Sequence, residues 1–229
     1  IAHIAHRTLR NQVQEYVKYT KRIPFVQEYQ PSKKEIELYE AVSDYLFREG
    51  TYGIPDRIRP LLSLLYRKIM SSSAYALSYT LQSTIERLKR MKNEGRKILT
   101  MSFVLNDLET IDNDDDSASY EIVEISEQDR VAIDNEINEL QHYVLMAEGI
   151  GFETKAQALL KALAASFDKV ERLGGLRRAL IFTESRKTQE YLKSFFEANG
   201  FRNKVVCFNG TNSNDEANNI YHKWLLTHV

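Results

Sequence analysis

The chain has 229 residues, of which 43% are apolar and 28% charged, with a formal net charge of −1. That length bounds it to one or two domains with ample chain for a core, and the composition is ordinary for a soluble protein. It excludes a membrane-spanning protein, since no run approaches the roughly 18 apolar residues a span needs.

The opening residues IAHIAHRTLR carry charge and no apolar segment, so no signal peptide is read there. Cys207 is the one cysteine and sits in an apolar run, which predicts a buried thiol in a reducing, cytoplasmic compartment. The chain begins without Met and ends on WLLTHV, and the expectation is that both ends are cut. Charge is segregated: 18 basic against 10 acidic residues over 1–103, 1 against 14 over 104–150, and 12 against 8 over 151–229. Two basic modules thus flank an acidic one. Basic surfaces suit a phosphate backbone, although solvated helices often carry a similar excess.

Residues 7–23 have helical spacing through Leu9, Val13, Tyr16, Val17 and Thr20, and Pro24 ends it. FVQEYQ then alternates like a short strand. Ser32 with Glu35 has capping-box spacing and opens a helix with an apolar stripe of Ile36, Tyr39, Val42, Leu46 and Phe47, stopped by Gly50. The next helix carries Leu61, Leu62, Leu64, Leu65 and Ile69, with Pro60 in its first turn. Helical spacing continues from Ala76 to Gly95. Residues 106–121 are acidic and aperiodic, which predicts a solvated linker. Asp112, Asp114 and Asp116 mimic the start of a calcium loop, but Ser117 replaces its glycine and Val123 its final glutamate. A helix resumes over 127–147.

From Thr154 the pattern sharpens. A helix with Leu159, Leu160, Leu163, Phe167 and Val170 on one face stops at Gly174–Gly175. The apolar run 179–183 predicts a buried strand, 187–199 a helix, 204–208 a second strand, and Ser213 with Glu216 a last helix start. Strand–helix–strand–helix spacing predicts parallel strands joined by right-handed crossovers. It also sets Thr183, Glu184, Ser185 and Arg186 just past a strand end, where open parallel sheets meet ligands.

These residues carry a resemblance. KALAASFDKVERLGGLRRALIFTESRKTQEYLKSFFEANGF followed by VVCFNGTNS resembles the opening of the second RecA-like domain of superfamily-two helicases. HRTLRNQVQEYVKYTKRIPFVQEYQPSKKEIELYEAVSDYL is similar to the segment entering that lobe in Swi/Snf-type translocases, most closely the bacterial ones. LYRKIMSSSAYAL departs from the eukaryotic remodellers, which carry a Cys-His-Pro sequence there. The resemblance covers 7–102 loosely and 154–224 well.

It implies a fold of the α/β class with a large helical part. Residues 1–103 would be a helical region entering the lobe, 104–150 an acidic linker or insertion plus a helix, and 151–229 a truncated RecA-like parallel unit. It implies an ATP-dependent parent with ATP and Mg2+, a missing first lobe as partner, and double-stranded DNA as the track. The backbone contacts it implies are Thr183, Ser185, Arg186 and Thr188 in the first turn, and Asn209, Gly210 and Thr211 in the second. Hydroxyls, N–H groups and Arg hold phosphates without reading sequence. A plainer reading makes Ser185 a helix cap and Gly210 a turn glycine.

No G-x-x-x-x-G-K-[ST] loop occurs in the 229 residues, so this chain alone is expected not to hydrolyse ATP. The alternative is a non-enzymatic helical plus α/β interaction or scaffold module. A truncated lobe deprived of its remaining strands leaves an open sheet edge, which predicts oligomers formed by edge pairing.

Overall fold

Residues 24–98, 122–151, 153–209 and 215–226 are described by a computed structural model. Helix α1 spans Lys33–Phe47 and starts on the expected box: Ser32 Oγ accepts the Glu35 N–H at 3.3 Å, while Glu35 accepts the Ser32 N–H at 2.5 Å. Its buried stripe is Leu38, Val42, Tyr45 and Leu46, at i, i+4, i+7 and i+8. That face is rotated from the sequence reading, for Ile36 and Phe47 stand exposed. Phe47 instead lies under the Arg67 guanidinium, 4.7 Å from the ring centre.

A 3-10 turn at Asp56–Ile58 leads into α2, Arg59–Ser72, with Pro60 in its first turn. Leu62, Tyr66, Ile69 and Met70 are buried, whereas Leu61 and Leu64 face outward. Ser73 then turns the chain: its extended backbone ends α2, and its Oγ caps α3, Ala74–Glu94, by accepting the Ala76 N–H. Gly95, where the sequence reading ends this helix, closes α3 in the left-handed conformation at φ 66°.

Strand β1, Arg96–Ile98, pairs antiparallel with β2, Ile122–Glu124. Helix α4, Glu127–Glu148, follows with a second capping box, Ser126 with Asp129, which the sequence reading missed. The antiparallel strand pair returns α4 alongside α3. Lys92 meets Asp134 at one end of the two helices and Gln82 meets Glu148 at the other, so they run antiparallel.

One core joins α1 to α4, including Leu77, Leu81, Leu88, Ile133 and Leu140. It holds 22 buried apolar residues among those described, against five in a second cluster of Ala156, Leu163, Phe167, Phe195 and Phe196. At about 1.5–3 kcal/mol per large buried side chain, the first body carries most of the stability. The second is built by α5, Thr154–Arg172, and α6, Arg186–Phe196. A wide turn over Glu197–Phe201 follows, with Gly200 at φ 91°. Last comes α7, Asp215–Leu226.

The expected parallel α/β unit is not formed. The only sheet among the described residues is the two-stranded β1–β2 pair. Residues 178–183 and 204–209 pass without a bend but pair with nothing as strands, and FVQEYQ is likewise no strand. The apolar runs had the composition of strands buried on both faces. A strand also needs a neighbour for its hydrogen-bond ladder, and neither segment meets one. The helix expected at 7–23 and the acidic linker lie outside the described residues.

Candidate nucleic-acid interface

The N-terminus of α6 is seated against the α2–α3 corner. Ser185 caps α6, its Oγ accepting the Thr188 N–H at 3.2 Å. Thr188 turns inward: it is buried, and its Oγ1 lies 2.7 Å from Ser72 Oγ and 3.0 Å from Ser73 Oγ. Thr183 is half-buried in the preceding turn, and Arg186 stands exposed on the first turn of α6. Asn209 is drawn toward the same helix, since its Nδ2 donates to Gln189 Oε1 at 3.1 Å and Gln189 Nε2 donates to the Phe208 carbonyl at 2.9 Å. Thus Thr183, Ser185 and Arg186 lead into α6 and Asn209 bonds to it, while Thr188 is spent on packing. Gly210 and Thr211 lie outside the described residues.

The structure adds residues that the sequence reading did not single out. Lys68 Nζ sits 2.9 Å from Glu184 Oε2, and Lys155 Nζ donates to the Ser71 carbonyl at 2.5 Å. Lys187 Nζ lies 4.1 Å from the centre of the Tyr79 ring and 3.1 Å from Glu190 Oε2. Tyr75 stacks on Tyr191 with centroids 5.9 Å apart, and Tyr75 and Tyr79 are each part-exposed. The signal available was Tyr75 and Tyr79 at i and i+4, one outward face of α3. Ion pairs as exposed as Lys68–Glu184 are worth about 0–1 kcal/mol, so a competing phosphate displaces them at little cost.

Beside this face lies a cleft of about 190 Å³ lined by Tyr75, Tyr79, Gln82, Glu153 and Tyr191. Glu153 is buried and its Oε1 accepts the N–H groups of Ala74 at 2.8 Å and Tyr75 at 3.3 Å. Burial outweighs these two bonds and, with the nearby Glu35 charge, pushes the Glu153 carboxyl up to about 7. Burial raises Glu35 too. Its bonds from Ser32 and Thr154 outweigh that and hold it below the usual carboxylate value. The Tyr191 hydroxyl, which accepts the Glu153 N–H at 3.2 Å, is pushed up to about 12, chiefly by burial. Cys207 is half-buried and in no strand, not fully buried as expected, and that partial burial raises its thiol.

What this arrangement offers chemically is a surface of cationic and aromatic side chains. Among the described residues no group of three or more His, Cys, Asp or Glu could hold a metal ion, and no helix is long and apolar enough to cross a membrane. No family model matches the chain, and no curated protein or solved structure matches it, so the resemblance to Swi/Snf translocases rests on the motifs alone.

Proposed function

We propose that the chain is part of an ATP-dependent DNA translocase of Swi/Snf type and contributes a surface that holds the phosphate backbone of double-stranded DNA. The observation that supports this is the approach of Lys68, Lys155 and Lys187 from three helices to the α2–α3 corner, with Lys187 over the exposed Tyr79 ring and the exposed Arg186 beside it on α6. Cations at this density attract a polyanion, and the rings supply sequence-independent contacts. ATP, Mg2+ and the other motor lobe belong to the parent, and the proposed setting is cytoplasmic. The parallel sheet has no part in this reading.

The expected result is salt-dependent binding of a short duplex with little sequence preference, read by fluorescence anisotropy. Arg186→Ala and Lys187→Ala each weaken binding and lower the slope of log affinity against log salt by about 1. A slope unchanged in both variants, with affinity also unchanged, sinks the assignment. A second reading, a non-enzymatic interaction module, is favoured by the exposure of Leu180 at 73% and Phe182 at 91%. Absence of any duplex binding by the wild type at about 50 mM salt, where phosphate contacts are strong, would select that reading.

A further inference from the structure

Among the described residues, 179–183 combine exposed apolar side chains with an unpaired backbone. Leu180, Ile181 and Phe182 are 73%, 41% and 91% exposed. The stretch 178–183 runs without a bend, and no hydrogen bond to another described residue engages the backbone of 179–183. Residues 179–182 are all exposed, and the two most exposed apolar side chains, Leu180 and Phe182, stand two apart, the spacing of one face of a strand. Row upon row of open N–H and C=O groups beside exposed apolar side chains is a template for strand addition.

We infer that this segment pairs antiparallel with the same segment of a second copy, in a two-fold register centred on Ile181. The sequence RALIFTE is self-complementary in that register. Arg178 stands opposite Glu184 of the other copy, Leu180 opposite Phe182, and Ala179 opposite Thr183. Directly opposed residues share a face, so each copy contributes one apolar cross-strand pair flanked by an opposite-charge pair, twice over by symmetry. Shifting the register by one residue turns side chains to the other face and puts Arg178 against Thr183 or Ser185, which loses the charge pairs. Glu184 is now held by Lys68 in an ion pair exposed on both sides, 55% and 71%, and such a pair exchanges partners readily. The Arg178 guanidinium donates to the Leu225 carbonyl at 3.3 Å, and its fork of donors can hold that carbonyl and a carboxylate together.

The neighbouring segment 204–208 is a poorer candidate. Its Phe208 carbonyl is already taken by Gln189, and a two-fold centred on Val206 opposes Lys204 to Phe208 with no charge pair. One short strand pair buries less than the roughly 1,200 Å² of a stable interface, so association is weak and concentration-dependent.

The test is the oligomeric state by sedimentation and by light scattering after size exclusion, with helical circular dichroism as a check on folding. The wild type dimerises as its concentration rises. Ile181→Lys faces two ammonium groups across the axis and abolishes the dimer. Glu184→Arg and Arg178→Glu each turn two attractive pairs into repulsive ones and weaken self-association about tenfold. Mixed together, those two variants form a heterodimer in which both charge pairs are restored, resolved from either homodimer by native mass spectrometry. Should Arg178→Glu fail to fold, a wild-type-like dimer of Glu184→Arg or of Ile181→Lys overturns the proposal. So does a wild type that stays monomeric at about 1 mM, because the face then serves another partner or none. A mixture no more associated than its two components overturns the register.

Discussion

Replacing Glu136 by Ala is expected to cost on the order of 3–5 kcal/mol of folding stability, the largest effect expected of a single polar substitution among the described residues. Glu136 projects from α4 into the core and is only 6% exposed. It accepts the Tyr45 hydroxyl at 2.7 Å and the backbone N–H groups of Tyr52 at 2.8 Å and Gly53 at 2.8 Å. Arg87, also buried, donates to the Gly53 carbonyl at 2.5 Å from α3. The loop between α1 and α2 is therefore tied to both central helices by one carboxylate and one guanidinium. Removing the carboxylate leaves the buried Tyr45 hydroxyl and Gly53 N–H, and the part-buried Tyr52 N–H, without this acceptor.

Gly53 gives an independent check on the same network. A Cβ there would lie 2.5 Å from Tyr45 Oη and 2.9 Å from both Glu136 Oε1 and Thr84 Cγ2. Gly53→Ala thus forces the carboxylate, the phenol or the loop to move, and a loss of about 1–3 kcal/mol is expected. Urea denaturation followed by circular dichroism measures both variants. A Glu136→Ala protein within about 1 kcal/mol of wild type would show that the network contributes little.

The second large effect is pH-dependent and sits at the joint between the two bodies. Glu153 holds the first N–H groups of α3, and the adjacent Thr154 donates to Glu35 of α1 by N–H at 3.0 Å and by hydroxyl at 2.8 Å. Because the folded protein keeps the Glu153 carboxyl at about 7, above its ordinary 4.5, the folded state binds the proton more tightly than the unfolded chain. Its contribution to stability is full below 4.5 and is lost as pH rises through 7. A shift of that size corresponds to about 3 kcal/mol across the window. Glu35 acts in the opposite sense, since its lowered value makes its contribution fade only on acidification below the ordinary carboxylate range.

Glu153→Gln keeps an oxygen for the Ala74 and Tyr75 N–H groups and cannot ionise. The variant is therefore expected to match or trail wild type at about pH 5 and to exceed it at about pH 8. Thermal melts of both proteins across that range decide the matter. Parallel curves, with a constant gap between variant and wild type, would show that Glu153 does not titrate in the folded state within the window.

Much of the helical architecture was legible because its signals are local. Ser32 with Glu35, Pro60, Gly95, and the helical spacing from Ala76 to Gly95 act within one or two turns, and each element formed where those residues sit. Errors inside the helices concern which way a face points. Ile36 and Leu64 satisfied the spacing as well as Leu38 and Leu62, and only the neighbouring helices selected between them. The candidate site was legible in part: Ser185, Arg186 and Asn209 gather around α6, whereas Lys68, Lys155 and Tyr79 join them from distant stretches of chain. Thr188 reads as a turn hydroxyl in the sequence and becomes a buried link to Ser72 and Ser73.

By itself, then, the sequence determined where helices begin and stop, how charge is distributed, and that 179–183 has the composition of a strand. Tertiary structure alone decided that no parallel sheet forms among the described residues, that α4 completes the core of α1 to α3, and that a glutamate and a glycine far apart in sequence lock the same loop. The reason is range. Caps and helical periodicity are satisfied by residues three or four positions apart, while a sheet ladder, a buried carboxylate and a basic face each need a partner that only folding brings near.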